Sequence, residues 1–280
     1  MNNETPSPGR APADAAASRW STHPLLAQRR SLFLDAPLHA LTMDETVALA
    51  KQAIEARTPM HQTSLNVAKL VNMRSNPELA QDVSESDVIN VDGAGVVWGA
   101  RLFGIRIPER VAGVDLMEAM FRACAQNGYR PYLLGAEAHV LEAVCARLRV
   151  EYPQLEIAGL HDGYFPPERE AEIVRAINES DADCLFVAMP TPRKERFLHR
   201  YRAELRPCFI MGVGGSFDVY GGKVKRAPVW MQKAGMEWVF RILQEPKRMW
   251  RRYWVTNPAY LKLLWNSYRQ GGARRAASPR

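Results

Sequence analysis

Cysteine is scarce in this 280-residue chain. Cys124, Cys145, Cys184 and Cys208 lie far apart, with no CxxC and no Cys/His pair at zinc spacing. That argues against a disulfide framework or a zinc centre and for reduced core thiols in a cytosolic protein. Long apolar runs are missing too. No stretch approaches the roughly 18 residues that a membrane-spanning helix needs. The opening MNNETPSPGRAPADAAASRWST lacks the apolar segment of a secretory signal and reads as part of a disordered leader, residues 1–24. Acids are almost absent from the far end. From Arg241 to Arg280 ten Lys/Arg face one acid, Glu245, a net charge of +9, which leaves −2 for the preceding 240 residues. The basic character belongs to the tail. Also missing is a complete GxGxxG with an acid about 20 residues beyond it, which argues against a dinucleotide-dependent oxidoreductase.

What is present is ordinary for a globular protein: 47% apolar and 24% charged residues. After a short strand and a helix starting near Thr42–Asp44, short apolar runs alternate with amphipathic stretches. MHQTSLN, DVINV, RPYLLG, LEIAGL, DCLFVAM and PCFIMGV read as strands. VAKLVNMR, GVVWGARLFG, HVLEAVCARLRVEY, EREAEIVRAINES and RFLHRYRAEL read as helices. The pattern predicts an α/β, Rossmann-like, mostly parallel sheet with helices on both faces. It divides into a core over 25–235, a basic helical appendage over 236–270 and a disordered tail over 271–280.

Ligands of such sheets bind at the carboxyl ends of the strands. Those ends carry Ser64 and Asn66, Asp92 and Gly93, Gly135, His161 to Tyr164, Thr191 to Glu195, and Gly214 to Asp218. The last group opens GVGGSFDVYGGKVKRAP, whose five glycines precede Lys223, Lys225 and Arg226. A bare backbone followed by cations suits a phosphate group. Asp92 reads equally as a helix cap or as a general base. Arg193 and Lys194 in MPTPRKE suit a diphosphate, although a rigid turn explains the spacing slightly better. Asp181 and Asp183 have the Asp-x-Asp spacing of metal-dependent sugar transferases but precede their strand, so no metal is expected. His161 reads as structural, and Tyr164 and Phe165 as stacking or core residues. In the tail, Leu261, Leu264, Trp265 and Tyr268 mark one face of a helix expected beyond Pro258. Among an anionic membrane surface, packing on the domain and nucleic acid, the aromatic density favours the membrane.

The blocks DGAGVVWGARLFG, RVAGVDL, LLGAE, HDGYF, GVGGSFDVYGGKVKRAP and MEWVFRILQEPKRMWRR stand in the order and spacing of the WecG/TagA/CpsF family, and from about Gln62 to Arg252 the chain resembles it. The resemblance implies an inverting, metal-independent bacterial glycosyltransferase of surface-polysaccharide synthesis, with no cofactor. It implies a nucleotide-sugar donor, usually UDP-linked, and a polyprenyl-diphosphate-linked acceptor at the cytoplasmic membrane face. Asp92 matches the family's proposed base, and Ser64-Leu65-Asn66 matches its Thr-Leu-Asn. Lys194 stands where many members have glutamine, which puts the usual donor sugar in doubt. The candidate catalytic residues are therefore Asp92, Lys194, Ser64 and Asn66. The candidate substrate contacts are Gly93, Gly135, Tyr164, Arg193, Glu195, Gly214, Gly215, Asp218, Lys225 and Arg226, with Arg248, Arg251 and Arg252 from a tail that helps complete the site. Nucleic acid is not an expected partner, and homo-oligomerisation stays open.

Overall fold

The computed structural model describes residues 19–269. The expected tail over 271–280 and residues 1–18 of the expected leader lie outside them. The rest of that leader is ordered: Arg19–Thr22 form a 3-10 turn, and the buried Trp20 donates its indole N–H to Pro59 O at 2.9 Å. Trp20, within the expected leader, packs into the core cluster and holds this turn to it.

Helix α1 (Pro24–Arg29) leads into a hairpin of β1 (Arg30–Phe33) and β2 (Ala36–His39), where a single strand was expected. Helix α2 (Met43–Glu55) starts at Thr42, whose hydroxyl accepts from Glu45 N–H while the Glu45 carboxylate accepts from Thr42 N–H. The βα units follow: β3 (Met60–Leu65), α3 (Val67–Ser75), α4 (Pro77–Ser84), β4 (Val88–Val91), α5 (Ala94–Leu102), α6 (Gly113–Asn127), β5 (Pro131–Gly135) and α7 (Ala138–Glu151). Then come β6 (Gly159–His161), α8 (Glu170–Glu179), β7 (Cys184–Ala188), α9 (Arg193–Arg200), β8 (Phe209–Gly212) and α10 (Ser216–Tyr220). The appendage adds α11 (Val229–Lys233), α12 (Glu237–Gln244) and α13 (Pro246–Arg269).

Strands β3 to β8 form one parallel sheet in the order β4-β3-β8-β7-β5-β6. The fold is α/β and Rossmann-like, as the alternation predicts. Alternating strand residues feed two cores. Met60, Leu133, Phe186, Phe209 and Met211 face α2, α6, α7 and α10, while Leu65, Leu134, Leu185, Val187 and Ile210 face α3, α8 and α9. Strand β6 is shorter than LEIAGL. It is an edge strand paired with β5, and Leu155 and Ile157 pack against the core from outside the ladder.

The tail helix does not begin beyond Pro258. It starts at Pro246 and runs through that proline. Packing holds it straight enough to continue: Tyr260 is buried and its hydroxyl donates to Gly95 O at 2.8 Å, with Leu263 and Leu264 against the same cluster. Gly95 and Gly99 of α5 make this seat. A Cβ on Gly99 would meet the Tyr260 hydroxyl, lie 2.8 Å from Phe33 and 3.2 Å from Leu264. The expected stripe is thus split, with Leu264 inside and Leu261, Trp265 and Tyr268 outside.

Replacing glycine by alanine in a helix interior ordinarily stabilises by about 1 kcal/mol. Gly99→Ala is expected to do the opposite, lowering the melting temperature and speeding proteolytic cleavage of α13. An unchanged or raised melting temperature would show that α13 is not seated on α5.

Candidate active site

Adjacent strands β3 and β8 send their following helices to opposite faces: α3 joins α4 and α9, whereas α10 packs on α6 and α7. That divergence opens a crevice at the carboxyl ends of the two strands, the usual ligand position in such sheets. Ser64 and Asn66 line it from β3, and Gly212 to Ser216 from β8. Asp92 stands one strand over, at the end of β4.

Asp92 is fixed by its backbone, whose N–H donates to Leu65 O at 2.9 Å. Gly93 follows at φ 110°, a conformation that L side chains rarely adopt. The Asp92 Oδ2 faces the start of α6, 3.4 Å from Gly113 N. A Cβ on Gly113 would lie 3.6 Å from that oxygen, 3.8 Å from Ser64 Oγ and 3.9 Å from Ser216 Oγ. One carboxylate and two hydroxyls therefore converge on a spot kept open by a glycine. Burial raises the Asp92 pKa. The Arg110 charge and the Gly113 N–H oppose the rise, and Glu237 adds to it. Arg110 pairs with Glu237 at 3.3 Å, and the Arg241 charge also acts on Asp92. Tyr253, its own pKa raised by burial, senses Asp92 as well and packs on Trp238 with ring centroids 5.7 Å apart. The appendage thus acts on the carboxylate electrostatically, through Glu237, Arg241 and Tyr253.

Beneath the crevice lies an ion triad. Glu195 Oε1 accepts from Lys194 Nζ at 2.7 Å and from Lys69 Nζ at 3.0 Å, and all three residues are buried. Lys69 also donates to Thr63 Oγ1 at 2.9 Å, and Thr191 donates to Glu195 Oε1 at 3.2 Å. Burial works to raise the Glu195 pKa, but the two ammonium groups hold it well below the usual carboxylate range. Burial brings Lys69 down to about 8, against the pull of Glu195. With both lysines protonated the triad carries one excess positive charge, and Glu195 Oε2 is buried with no hydrogen-bond partner among the described residues. The Lys194 stem lies over Gly212, where a Cβ would collide with it.

The remaining expected residues take varied places. Asn66 caps α3, accepting from Lys69 N–H at 2.9 Å. Gly135, at φ 118°, lets β5 pass Ala188, whose carbonyl oxygen would be 2.5 Å from a Cβ there. Arg193 donates to Gly163 O at 3.0 Å and Phe165 O at 2.5 Å, so its guanidinium clamps the HDGYF loop and does not point into open space. Arg226 pairs with Asp115 at 2.5 Å, and Lys223 with Glu137 at 3.0 Å. The cations after the Gly-rich turn are therefore largely committed to nearby acids, which hold that loop to α6 and α7. Lys225 is exposed, its backbone paired with the Gln244 side chain. Gly214, at φ 53°, and Gly215 leave the turn open, and Asp218 lies 3.9 Å from Lys223. Tyr164 is exposed, and so are Arg251 and Arg252 on α13, while the Arg248 side chain lies outside the described residues. Asp183 accepts from Arg130 N–H at 2.9 Å and pairs with Arg57 at 3.3 Å at the amino end of β7, far from the crevice.

Sequence reading missed Lys69, Arg110, Glu237 and Arg241, took Ser216 only as part of the Gly214 to Asp218 rim, and gave Tyr253 no place at the site. Lys69 carried a signal: a cation in the first turn of a helix opposes the macrodipole and calls for a buried partner. Arg110 and Glu237 carried none, since 127 residues separate them.

The sequence model of the glycosyl transferase WecG/TagA/CpsF family matches residues 31–274. One relative is the N-acetylglucosaminyldiphosphoundecaprenol N-acetyl-beta-D-mannosaminyltransferase of Bacillus spizizenii strain W23. It is 38% identical over 186 residues, 66% of this chain and 71% of that protein. The enzyme of the same description from Bacillus subtilis strain 168 is 37% identical over 170 residues, 61% of this chain and 65% of its own length, just under two thirds. With its crevice, its strand-end carboxylate and a match over most of its length, the chain belongs to the WecG/TagA/CpsF family of glycosyltransferases.

Proposed function

We propose that the protein transfers a sugar, with inversion, from a nucleoside-diphosphate donor, a UDP-sugar, to a polyprenyl-diphosphate-linked sugar at the inner membrane face, in surface-polysaccharide synthesis. The observation that carries this reading is Asp92: a carboxylate with a raised pKa, converging with Ser64 and Ser216 on an open spot beside Arg110 and Arg241. The two Bacillus relatives act by name on an undecaprenyl-diphosphate-linked N-acetylglucosamine, which supports an acceptor of that kind.

In the reaction, the Asp92 carboxylate takes the proton of the acceptor hydroxyl as its oxygen attacks the anomeric carbon from the face opposite the leaving group. The bond to the nucleoside diphosphate breaks, and its electron pair leaves on the phosphate oxygen. Such a leaving group needs positive charge or N–H donors in place before the bond breaks. Arg110, Arg241 and the excess charge of the Lys69–Glu195–Lys194 triad supply the first, and the Gly215 N–H in the open turn supplies the second, the Gly214 N–H being held by Val187 O. Positive charge from side chains takes the part that a divalent cation plays elsewhere. On the outside of α13, Leu261, Trp265 and Tyr268 with Lys262 and Arg269 form a basic aromatic face suited to anionic lipid. No helix among the described residues is long and apolar enough to cross a membrane, so docking on its surface is the mode proposed.

Asp92→Asn is expected to cut turnover by about 10²–10⁴-fold while donor binding stays near wild type. Because a base works deprotonated and burial raises its pKa, the acid limb of the wild-type kcat/KM profile should lie above the ordinary carboxylate range. Turnover near wild type in the variant would assign the proton to another group. Activity in excess EDTA should equal activity with magnesium or manganese, and a requirement for either ion would overturn the metal-free mechanism. Point changes separate the two roles of the appendage. Leu261→Glu with Trp265→Glu should weaken vesicle binding and leave transfer to a short-chain soluble acceptor intact. Arg241→Ala should slow that soluble transfer with vesicle binding retained; equal rates for Arg241→Ala and wild type would show that the appendage only tethers.

A further inference from the structure

Helix α5 presents a surface that the transfer mechanism does not use. Trp98 is 66% exposed and Leu102 59%, one turn apart, on a helix with no acid. Exposed apolar residues so close together on a soluble helix are uncommon unless something covers them. Beyond the end of α5 the chain forms a cleft of about 480 Å³ lined by Arg101, Gly104, Ile105, Arg106, Ile107 and Pro108. Arg101 and Arg106 are exposed, and neither guanidinium has an ion-pair or hydrogen-bond partner among the described residues. Two uncompensated cations at the mouth of a partly apolar cleft suit a phosphate ester attached to an apolar body.

The position of the patch says what such a body is. Gly95 and Gly99 seat α5 against Tyr260 and Leu264 of α13, so the two helices touch at this point. At 100° per residue, Trp250, Trp254, Leu261, Trp265 and Tyr268 fall within roughly 60° of one another on α13, next to the Leu264 edge that touches α5. All five are exposed. Trp98 and Leu102 flank Gly99 on α5, and Leu261, Trp265 and Tyr268 flank Leu264 on α13, so the two exposed sets border the same contact, and no acid occurs on either helix. The combined surface is aromatic and apolar with a cationic border of Lys247, Arg251, Lys262, Arg269, Arg101 and Arg106.

We infer that α5 is a second membrane-docking element, with Trp98 and Leu102 entering the interfacial layer and Arg101 and Arg106 receiving the headgroup phosphate of an anionic phospholipid. The inference rests on the proposed membrane docking of α13 and extends it to the catalytic core. Two contacts on neighbouring helices fix the tilt of the protein on the bilayer, which one amphipathic helix does not. Tryptophan suits the depth, since its ring prefers the layer between headgroup and chain.

The test uses the full chain with a polarity-sensitive fluorophore on Leu102→Cys or, separately, on Trp265→Cys. The four native cysteines are buried, and unsubstituted protein serves as the labelling blank. With vesicles of phosphatidylcholine and 30% phosphatidylglycerol, both probes should shift to the blue and be quenched by brominated acyl chains. Arg101→Glu with Arg106→Glu should weaken binding to these vesicles at least tenfold, since each cation near an anionic leaflet contributes roughly fivefold. Transfer to a soluble short-chain acceptor should be unchanged. A response at position 265 with none at 102 would overturn the role of α5 and leave the docking of α13 standing. Silence at both positions would remove the membrane reading together with this one. Retention of duplex DNA by the wild type, lost in the double charge reversal at the same salt, would reassign the surface to nucleic acid and overturn the inference.

Discussion

The crevice between β3 and β8 is the constraint on which the site depends. Each strand is buried on both faces, and the following helix must cover one of them. Because α3 covers one face and α10 the other, no helix closes the gap above their carboxyl ends. Polar groups that would be costly elsewhere in the core collect there: Ser64, Gln62, Asn90, Lys69, Lys194 and Glu195 are all buried at or below this opening. Mutual hydrogen bonds meet part of their cost, as where the Gln62 amide donates to Asn90 Oδ1 at 2.9 Å and the Asn90 amide to Thr46 Oγ1 at 2.8 Å, while Gln62 Oε1 and Glu195 Oε2 have no partner among the described residues. The polar seam beneath the crevice is thus continuous, from α2 through the sheet to α9.

Charge is distributed unevenly along that seam. Burying an ion pair is close to neutral when the partners match, but a surplus charge in the interior is strongly unfavourable until an opposite charge arrives. Two lysines on one carboxylate leave such a surplus, and the pKa of Lys69 is depressed first by burial and then by the Lys194 charge. At Asp92 the balance is reversed in sign: burial favours the neutral acid, while Arg110 and Arg241 favour the carboxylate. In the proposed reaction an anionic donor enters beside the first group and a proton passes to the second, so both imbalances are reduced by the chemistry itself.

The sheet was legible because its strands are short apolar runs and its helices are periodic, and both patterns arise from local burial. Asp92, Ser64 and the Gly214–Gly215 turn were legible for a related reason, since the carboxyl end of every parallel strand lies on one rim. The hairpin of β1 and β2 was missed because LFLDAPLH has no glycine at its turn, where Leu34 and Asp35 adopt φ of 48° and 58°. The roles of Arg193, Lys223 and Arg226 were not readable from spacing. A cation beside a glycine-rich turn looks the same whether it meets a phosphate or a carboxylate of a neighbouring helix, and here Asp115 and Glu137 lie within reach. Arg110, Glu237 and Tyr253 meet only through the packing of the appendage on the core, which leaves no local pattern.

Helix α13 resolves the largest departure from the expected pattern. A helix with apolar residues all round is normally buried all round, yet here Met249, Thr256 and Tyr260 face the protein while Trp250, Trp254, Trp265 and Tyr268 face out. One helix cannot satisfy both faces in water. The inward face is accounted for by the glycine seat on α5 and by contacts with α3, and it persists through Pro258 because packing compensates for the hydrogen bond that proline cannot donate. The outward face has no such partner among the described residues, and in the proposed reading lipid supplies it. The same rigid helix that carries Trp254 outward carries Tyr253 toward Asp92, one residue away. In that reading docking and catalysis are linked through α13, whose lipid-facing side and whose Tyr253 belong to one helix.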